Sequence, residues 1–186
     1  MDPEERTTYV LVDGENIDAT LGTSILGRRP RPEERPRWER VLRFAERSYG
    51  APVRGLFFLA VTTELPMAFV QALLAIGFQP VALSGDPDQK VVDIGVQRTL
   101  AAIRDRDADV VLVSNDGDFV EQVEALLDGR RVGVVGFTEF RNHGFSALAA
   151  QGLEAYDLEH DVGAFNERLP RVRIIPVDEF DPEQFL

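Results

Sequence analysis

Short apolar runs, each stopped by acids or a glycine, alternate along this chain with stretches whose apolar residues recur every three or four positions. The first pattern marks strands buried on both faces, and the second marks amphipathic helices. The clearest run is Asp109 to Phe119, reading Asp-Val-Val-Leu-Val-Ser-Asn-Asp-Gly-Asp-Phe. Val110 to Val113 suits a central parallel strand that delivers Asp116 and Asp118 to its carboxyl end, where open α/β sheets bind ligands. A plainer reading stands beside that one. Asp116 can serve as the N-cap of the next helix, with Asp118 in its first turn complementing the dipole.

Thr8 to Val12 is a shorter run of the same kind, ending in the polar turn Asp13-Gly14-Glu15-Asn16 that opens a helix. Gly22 to Arg37, with Gly27, Pro30, Pro32 and Pro36 among arginines, reads as a surface loop. The spacing of Trp38, Val41, Leu42 and Ala45 predicts a helix closing at Tyr49-Gly50. Val53 to Val61 predicts a strand, Pro66 to Gly77 a helix with Phe69, Val70, Leu73 and Leu74 on one face, and Gln79 to Leu83 another strand. Beyond the turn at Ser84 to Asp88, Val92, Val96, Leu100 and Ile103 mark the stripe of a helix from Val91 to Arg106, with Asp93 just off the stripe at its amino end. Val120, Val123, Leu126 and Leu127 mark the helix after the Asp109 strand, and Arg131 to Gly136 reads as the fifth strand. Phe145 to Ala150 predicts a short helix and Ala155 to Leu158 a brief edge strand.

Such alternation calls for an α/β domain with a largely parallel sheet and helices on both faces. The expected domain covers residues 1–159. Residues 160–186, broken at Leu169-Pro170, Ile175-Pro176 and Asp181-Pro182, are expected to form a tail packing on the domain or on a partner.

Composition narrows the picture. A chain of 186 residues with 44% hydrophobic and 9% aromatic residues supports one packed domain. No apolar stretch spans a membrane and no basic-then-apolar leader is seen, and the absence of cysteine excludes disulfides and thiolate metal sites. A cytoplasmic location is expected. The net charge of −12 argues against a broad grip on nucleic acid, which depends on cationic side chains. Eight arginines between Arg28 and Arg47, including Arg28, Arg29 and Arg31, form the one local positive stretch; a solvated loop and a phosphate contact are both compatible with it.

If the first and fourth strands are neighbours, Asp13, Asp116 and Asp118 converge, and Asp93 can join them from its helix start. Carboxylates gathered this closely need raised pKa values or a bound cation. Oxygen-only donors favour Mg²⁺ or Mn²⁺ over Zn²⁺. Lys90, the only lysine, can neutralise the acids, touch a substrate phosphate or simply sit in solvent, and Asn16 can orient Asp13 or cap the turn.

Three stretches, Asp13 to Asn16, Lys90 to Asp93 and Ser114 to Phe119, resemble the three motifs of NYN domains, PIN-like nuclease relatives that include the bacterial LabA-like (DUF88) proteins. The resemblance runs in order from about Tyr9 to Leu158. It implies a Rossmann-like PIN fold with a mainly parallel, five-stranded sheet ordered 3-2-1-4-5, and a Mg²⁺- or Mn²⁺-dependent ribonuclease site. Asp13, Asp93, Asp116 and Asp118 match the family's acidic positions, Asn16 its asparagine, Lys90 its lysine and Ser114 a serine ahead of the acidic pair. Glu15 has no assigned role.

The leading expectation is a ribonuclease hydrolysing RNA phosphodiesters, with Lys90, Arg28, Arg29 and Arg31 as substrate contacts. The alternative is a regulatory or scaffolding module that works through a protein partner or a homodimer. A haloacid-dehalogenase type of phosphatase needs an Asp-x-Asp motif, and Glu15 occupies its third position. His143 and His160 are isolated, Trp38 is expected to pack its helix, and Ser114 and Ser146 lack a nucleophile elbow. Gly14 and Gly117 serve turns, not a dinucleotide fingerprint.

Overall fold

The structure is a computed structural model describing residues 6–50, 52–172 and 174–186, so the first five residues of the expected domain lie outside the described residues. Its centre is a six-stranded parallel sheet in the order β3-β2-β1-β4-β5-β6. The strands are β1 (Thr7–Asp13), β2 (Val53–Ala60), β3 (Phe78–Leu83), β4 (Ala108–Val113), β5 (Val132–Gly136) and β6 (Glu154–Asp157). The helices are α1 (Gly14–Ala19), α2 (Trp38–Tyr49), α3 (Met67–Ile76), α4 (Val91–Ile103) and α5 (Val120–Leu126).

Both faces of the central strands are buried because their side chains alternate between two cores. Val10, Val12, Val111 and Val113 point into the layer formed by α1, α2 and α3, where they meet Ile17, Phe44, Phe57 and Leu73. Leu11, Val110 and Leu112 point the other way, onto Val92, Val96 and Leu100 of α4 and Val123 and Leu126 of α5. Leu11 pairs with Leu56 on one side and Leu112 on the other, so β1 and β4 end side by side. Each fully buried Leu or Val contributes about 1.5–3 kcal/mol of transfer free energy. That burial fixes the register, since a slip of one residue would exchange the two cores.

The sheet has a sixth strand where the family resemblance implied five. Glu154–Asp157 pairs in parallel with β5, close to the expected brief strand at Ala155 to Leu158. Its mixed composition at an edge carries little apolar signal. Four other segments also depart from the expected pattern. Thr20–Leu26 continue α1 as a π-helix with Leu21 and Gly22 buried, so the start of the expected loop, from Gly22, is helical until Gly27 in the left-handed region (φ 69°) ends it. A 3-10 turn at Gly117–Phe119 precedes α5, and His143–Gln151 is 3-10 helical. α4 stops at Ile103, short of Arg106.

Beyond β6, Leu158, Val162, Ala164 and Leu169 return to the α1–α3 core. Among the described residues no helix is long and apolar enough to cross a membrane.

Candidate metal centre

The sequence places Asp13 at the last position of β1, where the strand turns at once into α1. Gly14 allows that turn, because a Cβ there would lie 2.5 Å from the Phe57 ring. Asp13 is 2% exposed, caps α1 by accepting a hydrogen bond from the Asn16 N–H (3.3 Å), and accepts a second from the Ser114 hydroxyl (3.0 Å). Ser114, just beyond β4, also accepts from the Asp116 N–H (3.1 Å), so one hydroxyl sets the positions of two acids. Asn16 reaches across to the same loop, its Oδ1 accepting from the Asn115 N–H (2.9 Å). The ends of β1 and β4 are thus locked together.

Asp93 arrives from the first turn of α4. One carboxylate oxygen each from Asp13, Asp93 and Asp116 can be chosen so that all lie within 4.8 Å of one another. Asp118 stands beside this group, its backbone N–H donating to Asp116 Oδ1 (2.9 Å) and its carboxylate meeting Lys90 Nζ at 3.4 Å. Lys90 is exposed and also lies 3.8 Å from Asp93. The two readings of Asp116 are compatible: it is the N-cap of the turn after β4 and a member of the acidic group.

The electrostatics show crowding. Burial, opposed by the Ser114 and Asn16 hydrogen bonds and reinforced by the charges of Asp116 and Glu15, pushes the Asp13 carboxyl up to about 6. Asp93 is also pushed up to about 6, by burial, a hydrogen bond to Asp118 and the charges of Asp116, Asp13 and Asp118. Lys90 is raised by its hydrogen bond to Asp118 and by the surrounding acids. Oxygen ligands sit about 2.0–2.6 Å from a hard cation, so ligands of one ion lie at most about 4–5 Å apart. The group has that spread, and its donors are all oxygen. Asp13, Asp93 and Asp116 could therefore hold a divalent cation, which would also relieve their repulsion.

The groove over these acids is bordered by Glu15, Ala60, Gln89, Lys90 and Val91. Arg28 and Arg29 line a different depression, with Asp18, Gly22 and Thr23. Arg28 is engaged by Glu34 through both terminal nitrogens (2.6 and 2.7 Å), and the Arg31 N–H donates to the same carboxylate (2.9 Å). Those bonds, Arg28's first, hold the Glu34 carboxyl down to about 2.

Asn115 was not singled out from the sequence. It is 5% exposed and its Oδ1 accepts from the Phe137 N–H (2.8 Å), tying the β4 loop to the end of β5. Its position inside the Ser-Asn-Asp run was the available signal. The histidines 143 and 160 lie outside the acidic group.

A crystal structure of a protein of unknown function from Vibrio parahaemolyticus has a similar fold, with a TM-score of 0.64, 18% identity, and coverage of 87% of this chain and 98% of that one. No curated protein sequence matches the chain. The family model described as NYN domain matches residues 7–157, and with its parallel sheet and acidic group at the strand ends the chain belongs to the NYN domain family, of the PIN-like nuclease fold.

Proposed function

We propose that the protein is a divalent-metal-dependent ribonuclease whose ion is Mg²⁺ or Mn²⁺. The observation that carries this reading is the convergence of Asp13, Asp93 and Asp116 from β1, α4 and the β4 loop. Crowded carboxylates at the carboxyl edge of a parallel sheet, with Asp13 and Asp93 raised, suit phosphodiester hydrolysis. When bound, the ion supplies Lewis acidity, activating water and offsetting charge that develops on phosphate.

The protein's own groups do the positioning. Ser114 and Asn16 hold Asp13 and the β4 loop in place. Lys90, anchored to Asp118 and close to Asp93, presents an ammonium at the groove to a non-bridging phosphate oxygen. Arg28, Arg29 and Arg31 would meet RNA outside the groove, beyond α1. Cleavage of single-stranded and structured RNAs by the wild type, with Mn²⁺, Mg²⁺ or EDTA, tests the reading. The expected result is cleavage with either metal and none in EDTA; a wild type that cuts no RNA under any condition would overturn it.

Ser114→Ala is expected to weaken Mn²⁺ binding about 10- to 100-fold, as loss of a ligand-orienting group commonly does, and to cost about 1 kcal/mol of stability. Calorimetric titration with Mn²⁺ checks this. Equal affinities would mean that Ser114 does not orient the site.

One observation favours a protein-binding role as the second reading. Past Arg171, Val172, Ile174 and Leu186 are 92%, 95% and 99% exposed. Apolar side chains displayed this way suit a partner surface. An RNA-inactive wild type that binds a partner only with residues 177–186 intact would favour that role.

A further inference from the structure

Three depressions follow one another along α1 and its π-helical extension. The acid groove reaches Glu15. Glu15 also borders a pocket of about 240 Å³ whose walls include Gly14, Trp38, Phe57, Leu59 and Phe69. Asp18 lines that pocket and also borders the depression of Arg28 and Arg29. The β2 strand passes between the first two: Ala60 lines the groove and Leu59 the pocket.

The pocket is a built aromatic chamber. Trp38, the first residue of α2, meets Phe57 edge to face with centroids 5.1 Å apart, and Phe69 of α3 meets the same ring at 5.3 Å. Charged groups stand at its mouth, where Arg35 Nε donates to Asp18 Oδ1 (3.0 Å). The volume lies below the roughly 300–1,000 Å³ that takes a drug-sized ligand, which suits a single flat ring system.

We infer that this pocket receives one unpaired base of an RNA strand whose phosphate lies over the acid groove; the inference rests on the ribonuclease reading. Single-stranded RNA is recognised by splaying out a base and stacking it on aromatic or guanidinium planes. The flanking features fit a polynucleotide better than an apolar peptide. Lys90 lies in the groove that shares Glu15 with the pocket, and Arg29 in the depression that shares Asp18 with it, so a base between them leaves a cation on each side for the neighbouring phosphates. A peptide side chain would need neither.

Trp38 is the chain's only tryptophan, so its emission reports on this pocket alone. The test uses the full chain carrying Asp116→Asn, which slows turnover, titrated with an adenine hexaribonucleotide and with an abasic hexamer bearing the same number of phosphates. The adenine strand is expected to quench or shift Trp38 emission, and the abasic strand to leave it unchanged. Trp38→Leu is expected to weaken binding of the adenine strand about 10- to 100-fold, measured by anisotropy of a labelled strand, and to leave the abasic strand's affinity unaltered. Emission from the parent chain needs no pocket variant, so a poorly folded Trp38→Leu leaves the test intact. If both strands bind alike and Trp38 emission does not respond, the pocket assignment is overturned. Wild-type cleavage of RNA without a Trp38 response would leave the nuclease standing and remove the pocket. A base-dependent response in a chain that cuts nothing would keep the pocket as an RNA-binding site and remove the nuclease.

Discussion

Asp116→Asn is expected to lower RNA cleavage by a factor on the order of 10³ or more, since a metal-linked site supplies several kcal/mol of transition-state stabilisation. The same substitution should make the metal-free protein more stable. Asp116 is one of the charges that raise the carboxyls of both Asp13 and Asp93, and its removal relieves them. Asparagine keeps an oxygen to accept from the Asp118 N–H, so the turn after β4 survives. A folded pKa above the unfolded value means that the folded chain holds the proton more tightly. Stability from Asp13 and Asp93 is therefore fully present below about pH 4 and is lost as pH rises through about 6. For Asp13, moving from 3.8 to about 6 corresponds to roughly 3 kcal/mol; the more exposed Asp93 contributes less because solvent screens it.

Thermal melts in EDTA at pH 5 and pH 8 read these effects. Each kcal/mol recovered moves the midpoint by about 2–4 °C in a chain of this size. The variant should melt above wild type at pH 8, and the gap should narrow at pH 5. Adding Mn²⁺ to wild type at a hundred times its Kd should restore about 2.7 kcal/mol, and the variant should not respond. A variant that melts like wild type at both pH values and still responds to Mn²⁺ would remove the acids from the metal site.

Much of this centre is legible in the sequence because local rules and function coincide there. Val110 to Val113 must be a buried strand, so the polar residues after it must emerge at its carboxyl end, and Asp13 ends β1 by the same logic. Asp93 is readable as a helix-start acid. Other features depend on contacts between distant segments, which periodicity cannot carry. Asp118 follows the same strand, but its carboxylate meets Lys90 and Asp93, which come from a segment more than twenty residues away. Trp38 does pack its helix as its spacing suggests, but the pocket it lines also needs Phe57 and Phe69 from two other elements. The stretch from Gly22 reads as a loop because proline and arginine follow closely, while the burial of Leu21 and Gly22 keeps Thr20–Leu26 helical. Strand β6 was faint because an edge strand of four residues buries only one of them fully.

Arg171→Met is expected to cost about 3–5 kcal/mol, the usual effect of leaving a buried charge without its partner. The Arg171 side chain is 4% exposed and that of Asp157 5%, and they pair through both nitrogens (2.8 and 2.6 Å). Arg171 also meets Glu159 at 3.1 Å, reaches Glu139 through Nε at 2.7 Å, and has its guanidinium carbon 5.1 Å from the centre of the Phe137 ring. Without it, three acids lose the guanidinium that they share. Burial by itself would raise the Asp157 carboxyl, but Arg171, together with the N–H groups of His160 and Thr138, holds it well below the usual carboxylate range. Stability from this depressed pKa is present above the unfolded value near 4 and is lost as pH falls toward the folded one. In the variant that depression weakens, so its deficit should be largest near pH 7 and smaller near pH 4. Urea unfolding at both pH values measures the deficit, and Arg171→Met with Asp157→Asn should recover part of it, because the carboxamide needs no counter-ion. Arg131 and Glu154 provide the contrast: their side chains are 45% and 30% exposed, and a pair that open to solvent contributes about 1 kcal/mol or less. Were Arg171→Met to unfold like wild type at pH 7, the segment from Leu158 to Arg171 would be held by its other contacts, the apolar ones of Val162, Ala164 and Leu169 and the Arg40 bonds to Gly163, Phe165 and Asn166.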